Sequence, residues 1–213
     1  MKRILSTLTV LALFSILSSC SAQPNMKSID NKITITPPAG KAVAAFAEGC
    51  FWCSEHIFEA VVGIDSAVSG YAGGTVKNPT YELVNTETTG HAETVLIYYD
   101  PKLITYSELL IVFFTSHDPT TLDRQGPDNG NSYRSIIFYK TTEEKGLAEQ
   151  AKKNFANSFK NPIVSEIKLL TEFYRAEGYH QDYIEHNPGS SYVRGVSIPR
   201  FELFKKTYEG KLK

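Results

Sequence analysis

The sequence predicts an α+β fold, a mixed sheet with helices packed on it. Three observations predict it. A short apolar run at residues 43–47 is followed at once by Ile57, Phe58, Val61 and Val62 at helical spacing. A β-rich run at residues 93–99 leads through Asp100-Pro101 into Thr105-Tyr106-Ser107-Glu108, a capping-box signature ahead of Leu109, Leu110, Val112 and Phe113. A second strand-then-helix pair follows, with residues 134–139 ahead of Thr141-Thr142-Glu143-Glu144.

In chain order, residues 43–47 form a buried strand, and the helix after it stops at Gly63. Residues 65–69 are weakly strand-like, and Ser69-Gly70-Tyr71-Ala72-Gly73-Gly74 reads as a glycine-dense loop. No Lys-Ser/Thr or GxGxxG pattern makes it a phosphate cradle, so close backbone approach or positive φ explains the glycines. The strand at 93–99 and a helix to about Ser116 come next. Residues 117–132 are irregular, a length that in a compact domain marks function or mobility. A strand at 134–139, an amphipathic helix to about Phe159 and an alternating strand at 164–170 follow. Residues 181–186 form a short helix or turn. Beyond Pro188 the pattern weakens into a long, coil-rich C-terminal part in which residues 201–208 have helical character.

The N-terminus is read as outside the fold. Lys2 and Arg3 precede an apolar segment of fourteen residues, Ile4 to Leu17, short of the roughly twenty that span a membrane. It matches a secretory signal, here residues 1–19. Its end, Leu17-Ser18-Ser19-Cys20, resembles the lipobox of bacterial lipoproteins, in which cleavage precedes the cysteine and lipid is attached to it. The alternative is ordinary cleavage nearby, with Cys20 a free thiol. Residues 20–39 are polar and proline-containing and read as a lipidated N-terminus and tether. The catalytic domain is then 40–213, and the chain is exported and lipid-anchored in a bacterial cell envelope. A net charge of −1 without a basic run gives no footprint for nucleic acid.

The chemistry centres on Gly49-Cys50-Phe51-Trp52-Cys53. The strand delivers Cys50 to the first turn of a helix, where unpaired N–H groups and the helix dipole favour a thiolate. Cys53 lies one turn later on the same face. The alternative is a pair of small buried hydrophobes. With Cys20 lipidated, these two cysteines alone remain for chemistry, which suits a redox pair in an oxidising compartment better than a structural framework. His180 and His186 have no close cluster of further ligands, so no metal is expected and no cofactor is implied.

Further along stand Gly70-Tyr71, Asn78-Pro79-Thr80-Tyr81, Gly90-His91-Ala92-Glu93, His117-Asp118-Pro119, Arg124-Gln125-Gly126 and Tyr133-Arg134-Ser135. Together with the cysteine motif, from about residue 42 to 190, this set resembles the A-type peptide methionine sulfoxide reductase family, which acts on the S epimer. The resemblance implies an α/β sandwich around a split βαβ, ferredoxin-like core. It implies that Cys50 attacks the sulfoxide sulfur, that Glu93 is the general acid, and that Tyr81 and Tyr133 hydrogen-bond the departing oxygen. Phe51 and Trp52 match the wall that receives the ε-methyl, and Asp128 a carboxylate of the substrate site. Cys50 becomes a sulfenic acid, methionine is released from oxidised proteins, and a thioredoxin-like thiol donor closes the cycle.

One departure matters. Many family members carry recycling cysteines near the C-terminus, and this chain has none after Cys53. Either Cys53 resolves the sulfenic acid as a disulfide, or an external thiol attacks it directly. Two other functions compete: a thiol–disulfide oxidoreductase built on Cys-x-x-Cys, and a non-catalytic lipoprotein that binds peptides in an aromatic groove.

Overall fold

The computed structural model describes residues 30–213. The expected signal and lipidation segment, with Cys20, lies outside the described residues. Strand β1 (Ala42–Glu48) is buried on both faces and ends at Gly49. Gly49 turns the chain with φ +89°, and a Cβ there would run into the Gln125 side chain. The turn leads into α1 (Phe51–Glu59), with Cys50 at its N-cap and Gly63 at φ +97° soon after its end.

Strand β2 (Ile64–Ala72) is longer than its sequence suggests. Residues 70–72, expected in a loop, continue the strand because β8 (Phe173–Arg175) pairs with them: Gly70 faces Arg175 and Ala72 faces Phe173. A side chain at position 70 would collide with the Phe173 ring and the Tyr174 carbonyl, so the glycine admits the neighbouring strand. Next come the short helix α2 (Tyr81–Val84) and strand β3 (Ala92–Tyr99). In α3 (Tyr106–Ser116) the capping box forms fully: Thr105 accepts from the Glu108 amide, and the Glu108 carboxylate accepts from that of Thr105. The irregular stretch contains a tiny hairpin, β4 (Arg124–Gln125) with β5 (Asp128–Asn129), and then a single 3₁₀ turn (Asn131–Tyr133). After β6 (Ser135–Tyr139) come α4 (Thr142–Phe155) and β7 (Glu166–Leu169).

The main sheet runs β7-β6-β1-β3-β2-β8. Strands β1 and β2, joined by α1, are parallel, with β3 antiparallel between them. β6 is antiparallel to β1, and β7 adds in parallel to β6, making the sheet mixed. Alternation along β1 sorts the core. Ala44 and Phe46 face the helices, where Phe46 stacks on Phe58 at 5.4 Å and meets Phe113 at 5.4 Å. Val43, Ala45 and Ala47 face the other side, with Leu96, Ile136, Phe138 and Phe173. That side is partly covered by Ile33 and Ile35, inside the stretch whose composition reads as tether. There the Ile33 amide donates to the Phe173 carbonyl, and the Asn31 side chain donates to those of Pro79 and Arg175.

The C-terminal part holds more regular structure than a coil-rich tail. A 3₁₀ turn (Gly178–His180), α5 (Tyr183–His186), a π-helical turn (Val193–Ser197) and α6 (Ile198–Thr207) wrap back onto α1 and α3. No described helix is long and apolar enough to cross a membrane.

The capping box is remote in sequence from every candidate site residue and acts on α3 alone. Thr105→Ala leaves the Glu108 amide of its first turn uncapped and is expected to cost about 1 kcal/mol, read as a lower urea midpoint with an unchanged slope.

Candidate active site

Cys50 follows a buried strand by two residues and caps a helix, and both constraints fix its place. Its carbonyl accepts from the Cys53 amide at 3.2 Å, while the N–H of Phe51, free of any helical partner, donates to Glu93 Oε2 at 2.9 Å. Glu93 reaches that amide from β3 and is only 2% exposed. Burial pushes its carboxyl up to about 8, opposed by the Phe51 amide and assisted by Asp128. At neutral pH it is a neutral acid with one oxygen bonded to the amide and a proton free to donate.

Around this pair lies a cavity of about 330 Å³. Cys50 and Glu93 stand in its wall with Phe51, Trp52, Tyr81, Tyr133 and Asp128, so the fold assembles every residue the sequence singles out there except Cys53. Burial raises the phenols of Tyr81 and Tyr133, and Glu93 adds to both effects, so each stays a donor.

The wall is held by residues that the sequence pattern does not point to. Trp52 stacks on Tyr183 with centroids 3.6 Å apart and planes 7° apart. Its Nε1–H donates to His180 Nδ1 at 3.0 Å, which sets that ring's proton on Nε2. Glu177 accepts from the Tyr71 hydroxyl at 3.0 Å and from the Tyr81 amide at 2.9 Å, locating the tyrosine. Gln181 bonds to both backbone groups of Ser69, and Glu55 accepts from the Asp182 amide at 3.0 Å, so the C-terminal segment is clamped to β2 and α1. Opposite, Glu87 accepts from the Ser132 amide and hydroxyl at 2.9 and 2.7 Å and fixes the turn that carries Tyr133. Tyr192 donates to Asp128 Oδ2 at 2.6 Å and completes the aromatic lining. His91 accepts from the Gly74 amide at 3.1 Å and bonds the Val76 carbonyl at 2.7 Å, a structural post.

Both cysteines are free thiols and buried. They behave as one unit. Proximity to the Cys50 sulfur draws the Cys53 thiol down to about 6 against burial, and Arg200 and Ser197 add to the effect. Burial, then Cys53 and Glu93, push Cys50 well up. The helix start favours a thiolate at Cys50, but burial and its neighbours hold the Cys50 proton, and Arg200 favours negative charge at Cys53 instead. Arg200 comes from α6 and is held by a 2.9 Å ion pair to Glu48 at the end of β1, and by the Ser116 carbonyl at 2.8 Å. Burial lifts Glu48 to about 7, with Arg200 pulling the other way. Cys53 Sγ lies 3.3 Å from Ser197 Oγ.

A family model described as peptide methionine sulfoxide reductase matches residues 42–212. The chain is 50% identical over 164 residues to "Peptide methionine sulfoxide reductase MsrA" of Leptospira borgpetersenii, covering 77% of this chain and 93% of that one. Its fold is similar to that of reduced Mxr1 from Saccharomyces cerevisiae, with TM-score 0.69 and 35% identity over 72% of this chain and 89% of that one. A further structure of Mxr1, in complex with Trx2, matches with TM-score 0.51 and 26% identity, covering 73% and 93%.

A carboxyl raised from 4.5 to about 8 binds its proton more tightly in the folded chain than in the unfolded one. Its contribution to stability is complete below the unfolded value and is lost as pH rises through about 8. Glu93→Gln removes that loss. The difference in unfolding free energy between variant and native chain, measured by urea titration across pH, is expected to shift in favour of the variant from mildly acid to alkaline conditions; a flat difference would contradict the buried neutral acid.

Proposed function

The chain belongs to the peptide methionine sulfoxide reductase family and reduces methionine sulfoxide to methionine, and on that premise we propose which of its residues carry the reaction and how the cycle closes. The observation that carries the assignment is the convergence of Cys50, a protonated Glu93 and two phenols on one aromatic cavity.

A sulfoxide is a poor electrophile until its oxygen is protonated, so an acid must face that oxygen while the thiolate faces the sulfur. Transfer of the Cys50 proton to Cys53 places the thiolate on Cys50. Cys50 Sγ then bonds to the sulfoxide sulfur as Glu93 donates its proton to the oxygen, and Tyr81 and Tyr133 hydrogen-bond that oxygen as charge develops on it. Oxygen passes to Cys50 as a sulfenic acid, and methionine leaves. The substrate sulfur gains two electrons and Cys50 loses two. Phe51 and Trp52 offer aromatic faces to the ε-methyl, and Trp52 is locked by Tyr183 and His180. A rigid wall on one side and fixed donors on the other select one handedness at sulfur, the S epimer. Asp128, tied to Tyr192, shapes the rim beside the substrate.

Cys53 then attacks the Cys50 sulfenic sulfur, water leaves, and a Cys50–Cys53 disulfide forms. The place of Cys53 one helical turn after Cys50, and the Arg200 cation that shares its cavity wall, support this over direct attack by an external thiol. A thioredoxin-like dithiol returns the pair to thiols, in keeping with the complex of Mxr1 with Trx2. The biological role is repair of oxidised methionine in proteins.

The N-terminal sequence supports export and lipid anchoring at Cys20 in a bacterial envelope, after removal of residues 1–19. Cys20→Ala is expected to move the protein from the membrane to the soluble fraction of cells; unchanged retention would contradict the anchor.

Cys50→Ser is expected to abolish methionine formation from an S-sulfoxide peptide even in a single turnover. Glu93→Gln should slow that single turnover by about 10²-fold or more and remove the fall in rate expected of the native enzyme above about pH 8. Retained burst in the first variant, or an unchanged rate in the second, would overturn those roles.

A further inference from the structure

A second cavity, of about 660 Å³, reaches Cys53. Cys50 lines the aromatic cavity and not this one; Cys53 lines this one and not the aromatic cavity. Asp128 and Tyr192 line both, so their 2.6 Å hydrogen bond forms part of the partition. Arg200 stands in the wall beside Cys53, anchored to Glu48 and to the Ser116 carbonyl. Other parts of the wall are apolar, from Pro127, Val196, Pro199 and Leu203, and Leu203 is 62% exposed.

We propose that this second cavity is the entry port for a dithiol protein that reduces the Cys50–Cys53 disulfide by attack on Cys53, an inference that rests on the resolving role of Cys53. The aromatic cavity gives access to Cys50 and holds the substrate. A thiol that attacks Cys53 must come along the line away from the sulfur it expels, and the second cavity opens onto Cys53 alone. The partner's first thiolate bonds to Cys53 Sγ, the Cys50–Cys53 bond breaks, and Cys50 leaves as the thiolate ready for the next sulfoxide. The partner's second thiolate then attacks its own mixed sulfur and releases Cys53, so two electrons pass to the pair and the partner leaves as a disulfide. Arg200 stabilises negative charge at Cys53 as that thiolate departs. An exposed leucine beside two prolines suits the apolar surface of a protein partner better than a free small thiol. Separate ports also let the reductant act while oxidised peptide waits in the other cavity.

The test narrows the port without touching the reacting groups. Gly195 lies in this wall and is exposed, and a side chain added there meets nothing within 4 Å. Gly195→Trp is expected to leave single-turnover methionine formation and Cys50–Cys53 disulfide formation unchanged. Steady-state turnover with reduced thioredoxin as the probe should fall about tenfold or more, with the disulfide accumulating, while dithiothreitol, small enough to pass the added ring, sustains turnover within about twofold. An unchanged rate with thioredoxin, or an equal loss with both reductants, would overturn the proposal. Absence of the disulfide after one turnover of the native enzyme would instead sink the resolving role on which it rests.

Discussion

The hydrogen bond from the Phe51 amide to Glu93 is the contact on which the site depends. It ties the first turn of α1 to the middle of the sheet and fixes the position of Cys50 relative to that carboxyl in one step. The amide is one of the four that any helix leaves unpaired at its start. Spending it on a buried carboxyl satisfies both groups, yet one neutral amide is too weak to hold the carboxyl ionised there. A proton donor results at the pH where a free glutamate would have none to give.

A buried acid, a thiol pair and an ion pair within a few residues of one another form an expensive core, and the C-terminal segment makes it tolerable. Arg200 neutralises Glu48 and faces Cys53, Ser197 touches the Cys53 sulfur, and Tyr192 holds Asp128. Around Cys53 this segment supplies a cation and a hydroxyl. Glu177 and His180, from the same end, brace the opposite wall through Tyr81 and Trp52. Removing any one of these partners would leave another buried polar group unpaired, a penalty greater than the worth of the contact itself.

Legibility from the sequence follows the range of the interactions. The capping box of α3 involves residues three apart and is readable and present. Strand β1 announces itself by its apolar run, and Gly49 by the turn it must make. Strand β8 is three residues long and owes its existence to pairing with β2, so no local pattern marks it; the same pairing turns Gly70 from a loop signal into a strand residue. In the site, Cys50, Glu93, Tyr81 and Tyr133 stand in short motifs whose joint order singles them out, and the fold brings the four to one cavity. His180, Tyr183, Tyr192 and Arg200 do not, because each acts across more than sixty residues and sits where hydrophobic periodicity is weak. The division between two cavities was hidden for the same reason: Cys50 and Cys53 are three residues apart at the start of one helix, and only tertiary packing separates what each of them faces.

The central claim is that the carboxyl beside Cys50 carries a proton at neutral pH. Infrared difference spectroscopy of native protein against Glu93→Gln reads the carboxylic C=O stretch of that one group directly. The account predicts a protonated-acid band near neutrality that gives way to carboxylate with a midpoint of about 8. A carboxylate already formed in mildly acid solution, with a midpoint near the ordinary 4.5, would contradict it.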